Sequence, residues 1–233
     1  MTYHGNFLRV AAIACFATVI TTIGIHAIFN FDVTTFEERV SLFRNRLYLL
    51  NRWWVIVHCL LVLIAMWGVF VARRLRASGW VGLGLTFFSV FAFTEIFRQI
   101  LVLFYLNGLR ARYLAATDDG LRVFLTHSMD QFGLISLSLF GLFILSFALG
   151  NLCYGIALVP EEGFDRILGV LLLVWAFGTL TAFGNAFWEA PGLERAVSVF
   201  NLWFQPAMRF LIALWLWRAA TSAEPAVRPA RSV

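Results

Sequence analysis

The stretch Phe93-Thr94-Glu95-Ile96-Phe97-Arg98-Gln99 puts a carboxylate, a guanidinium and an amide within five residues of an otherwise apolar run. Spacings of three and four bring all three side chains onto one helical face. Arginine keeps its proton whereas glutamate can neutralise, so Glu95 and Arg98 read first as an internal ion pair and second as part of a ligand site. Asn201, Gln205 and Arg209 recur at four-residue intervals and form a second polar stripe. With Asn185, these stripes make a seam that either glues helices together or holds the polar head of a small amphiphile or lipid. The candidate binding residues are therefore Glu95, Arg98, Gln99, Asn185, Asn201 and Gln205, and snorkelling inward is the plainer account of Arg209.

Three histidines open another chemistry. His26, His58 and His127, with Asp130 and Glu189, offer donors that suit zinc with one position left for water, as a metal-dependent hydrolase requires. The chain has no HExxH or HxxxH, and no two of these histidines share a helix, so spacing lends the zinc reading no support. Haem held between His26 and His58 is a remoter variant. A nucleophile elbow and a glycine-rich phosphate loop are missing from the sequence, and the cysteine that does follow a histidine, Cys59 after His58, lies in an apolar span with no mark of reactivity. Cys15, Cys59 and Cys153 are scattered in apolar surroundings and read as packing. The expectation is a binding or sensory protein without a cofactor, with the zinc hydrolase and a structural subunit of a larger complex as alternatives.

The elements that must position these residues follow from composition. With 61% apolar and 13% charged residues and a mean hydropathy of +0.82, the chain reads as a membrane protein. Six runs near the ~20 residues needed to span a bilayer lie at about 10–29, 53–72, 80–106, 132–159, 167–188 and 196–217. The first is read as a retained helix because no small-x-small cleavage pattern follows it. The predicted fold is all-α and polytopic: six transmembrane helices in an antiparallel bundle, a single domain over 1–218, and a disordered cytoplasmic tail at 219–233.

Thr35-Phe36-Glu37-Glu38 has the spacing of a capping box, and apolar residues then recur at helical intervals. That predicts an amphipathic helix over about 35–50 that lies at the interface or runs into the second span. Asn107-Gly108 reads as a helix stop, and the segment after it as a polar connection with a short amphipathic stretch ending at Asp119-Gly120.

The net charge of +5 comes from arginine alone, because the chain has no lysine, which also excludes a retinal Schiff base. The arginines cluster at span ends, a pattern of membrane orientation and not of nucleic-acid binding. Arg73, Arg74 and Arg76 in the second connection, with no acid beside them, place that side and both termini in the cytoplasm. Glu95, Arg98, His26, His58, His127, Asp130, Asn185, Glu189 and Asn201 then all fall toward the outer side. Rise along the helices sets Asn201 near the level of Glu95, and Glu189 or Asp130 near Arg98. The partners expected are the lipid bilayer and a bound lipid or amphiphile.

FLTHSMDQFGLISLSLFGLFILSFALG, FDRILGVLLLVWAFGTLTAF and RFLIALWLWRAA together resemble a widespread group of bacterial six-span proteins, the domain of unknown function 4386 family. LNRWWVIVHCLLVLIAMWGVFVARR and FAFTEIFRQILVLFYLNG match in position the second and third spans of that group. The resemblance implies a six-helix protein of a bacterial inner membrane and carries over no catalytic residue.

Overall fold

The computed structural model describes residues 3–29, 33–188 and 200–222, with the backbone alone at residues 3, 4, 26, 27, 185, 186, 188 and 201. Every regular element among them is helical: α1 (Tyr3–Ala27), α2 (Phe36–Ser41), α3 (Arg46–Arg73), α4 (Ser78–Ile100), α5 (Asn107–Ala115), α6 (Asp119–Leu158), α7 (Phe164–Trp188) and α8 (Gln205–Ser222). Gly5–Ile25, Arg46–Arg73, Ser78–Ala115, Asp119–Leu158 and Phe164–Gly184 are long and apolar enough to cross a membrane. They cover the first five expected runs. Of the sixth, the described part is the π turn Phe200–Phe204 and α8. Residues 219–222, expected in a disordered tail, continue α8, and 223–233 lie outside the described residues.

Two boundaries differ from expectation. The amphipathic helix does not run on into the second span: α2 ends at Ser41, a 3-10 turn covers Leu42–Arg44, and Asn45 starts a new helix. The Asn45 Oδ1 accepts from the backbone N–H groups of Leu47 and Tyr48, so this asparagine is the break that a search for Gly or Pro overlooks. Asn107-Gly108 is likewise no stop. α4 passes through a π turn at Leu101–Leu106 straight into α5, and the true break is the short link before Asp118, whose carboxylate caps α6 at Leu121.

The capping box is present as expected. Glu38 accepts from the backbone N–H groups of Thr35 at 3.1 Å and Thr34 at 3.0 Å, while its own N–H donates to Thr35 Oγ1 at 3.2 Å. These bonds, the Thr35 one foremost, hold the Glu38 carboxyl below its ordinary value.

Packing follows chain order. α1 lies between α8 and α3, α3 leads to α4, α4 to α6 and α6 to α7, and α7 touches α8 more sparsely to close a ring. The half of the ring toward the α6–α7 turn is filled by Tyr154, Leu158, Leu168, Leu172 and Leu216, all nearly sealed from solvent. Arg73 closes that end: it pairs with Asp165 and Glu161, Asp165 accepts from Trp215 Nε1 at 2.6 Å, and the Arg73 guanidinium covers the Trp215 ring. Outward faces are apolar, with Ile20, Phe93, Phe177 and Trp203 each more than 60% exposed, as lipid-facing positions should be.

At the other end the long helices overshoot. α6 has 40 residues and rises about 60 Å, roughly twice the hydrocarbon thickness. Its first turns form a cap with α2 and α5, in which Val40, Leu109, Leu125 and Met129 are buried together.

Helix α7 meets the end of α6 at Gly169, where an added Cβ would lie 2.7 Å from the Val159 backbone nitrogen. Gly169→Ala should therefore destabilise by about 1–3 kcal/mol, whereas Gly133→Ala, which meets open space, should be neutral or stabilising; thermal unfolding in detergent compares them. The Glu38 value lies below that of the unfolded chain, so its contribution is complete above about pH 4.3 and is lost as pH falls through the depressed value. Amide exchange at Thr35 and Glu38 should accelerate over that acid range and stay flat from pH 6 to 8.

Candidate functional site

The end of the ring beneath the cap is hollow. A cavity of about 390 Å³ is bordered by residues of all six long helices, including Thr22 of α1, Arg52 of α3, Glu95 of α4, Phe143 of α6, Thr179 of α7 and Arg209 of α8. Glu95 lies about 26 Å along α4 from Ser78, and Asn51 and Arg52 border the cavity near the start of α3. One wall is aromatic, made by Phe91, Phe140, Phe143 and Phe147, with Phe91 stacked on Phe143 at 4.7 Å between centroids. Beside it runs a charged wall, and Arg98 lies over the Phe140 ring where the two meet.

Glu95, only 2% exposed, anchors the charged wall. Arg98 clasps it with both nitrogens, Nε to Oε2 at 2.8 Å and Nη2 to Oε1 at 2.7 Å, and Gln99 Nε2 donates to Oε1 at 2.6 Å. The internal ion pair is real but does not stand alone. Arg98 reaches Ser136 Oγ of α6 at 3.4 Å and lies over the Phe140 ring, while Gln99 Oε1 accepts from Arg52 Nη1 of α3 at 3.2 Å. The cross-helix partners are thus Arg52 and Ser136.

Arg52 lies over the Tyr48 ring at 4.4 Å. Its Nε, and the Oδ1 of the adjacent Asn51, have no hydrogen-bond partner among the described residues. Arg209 is 2% exposed and does not snorkel; its guanidinium rests over the Trp175 ring at 5.5 Å. Arg209 Nε and Nη1 also lack a hydrogen-bond partner among the described residues. Three guanidinium groups and one carboxylate leave the wall at +2 with His58 neutral.

A second cavity, of about 310 Å³, lies under the cap and shares Arg52 and Arg98 with the first. Arg39 and Arg110 add positive charge there, against the single acid Asp130. Arg110 donates to Tyr48 Oη at 2.9 Å and Asn107 Oδ1 at 3.1 Å, which fixes the wall between α3 and α5.

Of the residues expected at the site, Glu95, Arg98, Gln99 and Gln205 line the inner cavity. The side chains of Asn185, Asn201 and His26, and all of Glu189, lie outside the described residues. The expected levels of Asn201 and Glu189 beside α4 fall there too. His58 also borders the cavity, with Nδ1 hydrogen-bonded to Thr21 Oγ1 at 2.7 Å, while His127 is exposed on the cap portion of α6. No three His, Cys, Asp or Glu side chains among the described residues are grouped to hold a metal ion.

Arg52 and Asn51 were missed because they seem to precede the second span. Asn45 is the signal that would have found them: a helix capped there carries Tyr48, Arg52, Val55 and Cys59 down one face. Compared with known proteins, the chain matches no family model, no curated protein and no solved structure.

Removing the Glu95 carboxylate leaves Arg98 without its counter-charge. Glu95→Ala should lose about 3 kcal/mol of stability, and Glu95→Ala/Arg98→Met should recover most of it, in a double-mutant cycle read by thermal unfolding. Failure to recover would show that Gln99 and Arg52, more than Arg98, depend on the carboxylate.

Proposed function

We propose that this chain is a six-span protein of a bacterial cytoplasmic membrane and that its cavity binds a small amphiphile as a sensory or carrier site without catalysis. In this reading 196–217 form the sixth span and both termini are cytoplasmic, in keeping with the cluster Arg73, Arg74 and Arg76 at the end of α3 and in its link to α4. The resemblance to the domain of unknown function 4386 group belongs to the same reading.

One observation carries the proposal: a single cavity among the long apolar helices is lined both by phenylalanine rings and by charged side chains. An apolar chain against the rings and a polar head against the charged side chains would satisfy both. Its volume falls within the roughly 300–1,000 Å³ typical of small-molecule sites.

Native mass spectrometry provides the test. Wild-type protein purified from membranes in a mild detergent should retain a bound small molecule, and Ala182→Phe, which projects a ring into the cavity, should lose it while still folding. A wild-type spectrum without bound mass, together with no thermal shift from decanol, decanoate or a lysolipid, would defeat the reading.

A further inference from the structure

The charged wall specifies which amphiphile. We infer that the ligand's head group is an oxyanion, carboxylate or phosphate, held by Arg209 and Arg52, an assignment that rests on the amphiphile reading above.

The three cavity arginines are not equivalent. Arg98 already has a full counter-ion, because Glu95 meets it with both oxygens. Among the described residues Arg52 meets the neutral amide oxygen of Gln99 and Tyr48 but no carboxylate of its own, and its Nε is unmet. Gln99 is turned so that its N–H faces Glu95 and its oxygen faces Arg52, which places an amide between the one carboxylate and the second guanidinium. Arg209 is in no ion pair among the described residues, and two of its N–H-bearing nitrogens are unmet inside the protein.

A guanidinium cannot discharge its cost by losing a proton at neutral pH, and an aromatic face compensates only part of the lost hydration. The two unmatched charges on one cavity call for an anion with several acceptor oxygens, since a guanidinium fork matches carboxylate and phosphate geometry. The approach has the same character. The outer cavity shares Arg52 and Arg98 and adds Arg39 and Arg110, so an anion travelling from the interface meets positive charge along its path. The phenylalanine wall then receives the chain behind the head.

The sign of one mutation separates a binding arginine from a structural one. If Arg209 awaits an anion, the empty protein is strained by it, so Arg209→Met should melt about 2–4 °C above wild type without ligand. A structural role for the Arg209–Trp175 contact requires a fall instead.

The probes are decanoate, decanol, a short-chain phosphatidate and inorganic phosphate, added below micellar concentration to the full chain in a neutral maltoside detergent. Thermal unfolding is followed for wild type, Arg209→Met and Arg52→Gln. Decanoate or phosphatidate should raise the wild-type melting temperature and decanol should not, and either arginine substitution should weaken the response at least tenfold in ligand concentration. A response to decanoate alone marks a single-chain acid as the ligand, and a response to phosphatidate alone marks a lipid head group.

Equal stabilisation by decanol and decanoate, or an unaltered decanoate response in both variants, overturns the oxyanion assignment and leaves the amphiphile reading standing. A response to inorganic phosphate that no chain improves keeps the oxyanion site and removes the amphiphile. Silence from all four probes overturns both. Should Arg209→Met fail to fold, Arg52→Gln carries the same comparison.

Discussion

An arginine keeps its charge wherever a membrane protein carries it, and at a helix centre in the bilayer that costs about 2.5–3.5 kcal/mol on insertion scales. Each buried guanidinium must therefore be met by something that travels with it. Among the described residues four buried or half-buried arginines show four ways of being met. Arg73 has Asp165, Glu161 and the Trp215 ring; Arg98 has Glu95; Arg110 has Tyr48 and Asn107; Arg209 has the Trp175 face and, among the described residues, no counter-ion. The first closes one end of the bundle, the next two build the other, and the last marks where the protein interior stops being self-sufficient.

That division explains the contrast between the two halves. Around Arg73 the ion pairs and the Trp215 hydrogen bond tie α3, α7 and α8 together beside an end cavity of about 640 Å³ where Arg73 and Asp165 are already paired, and the apolar side chains beyond them are buried together. Around Arg209 aromatic rings and charges share one space that the protein does not fill. A dry apolar void would simply lose dispersion contacts, whereas a void edged with unmatched donors loses hydrogen bonds as well. The hollow half is the part whose energetics improve when something polar enters.

Departures from regular helix geometry sit beside this space. The π turn of α4 begins two residues after Gln99, and the π turn before α8 ends at Phe204, next to Gln205 and Pro206. Proline has no N–H to offer the carbonyl four residues back, so the widened turn before it is the local relief. The first π turn has no comparable breaker. Its effect is to let α4 carry on into α5, bringing Arg110 to Tyr48 and Asn107 to roof the outer cavity.

The apolar runs by themselves determined that the chain is helical and built to cross a membrane repeatedly, because backbone groups in hydrocarbon have no other partners than their own helix. Local spacing also made the Glu95–Arg98–Gln99 face and the Thr35–Glu38 capping box legible, since both depend on residues within four of each other. The start of α3 was readable in principle at Asn45 but is easily passed over, for a polar cap is a weaker signal than Gly or Pro. Tertiary structure alone decided that Arg52 joins Gln99 and that Arg209 turns inward over Trp175. It also decided that two cavities meet at one pair of arginines. Those facts depend on how far each helix is rotated about its axis and on which helices close the ring, and such rotations are set by side chains meeting across long sequence separations. A local pattern can name the charged face of a helix, but only the packed neighbours determine what that face is given to bind.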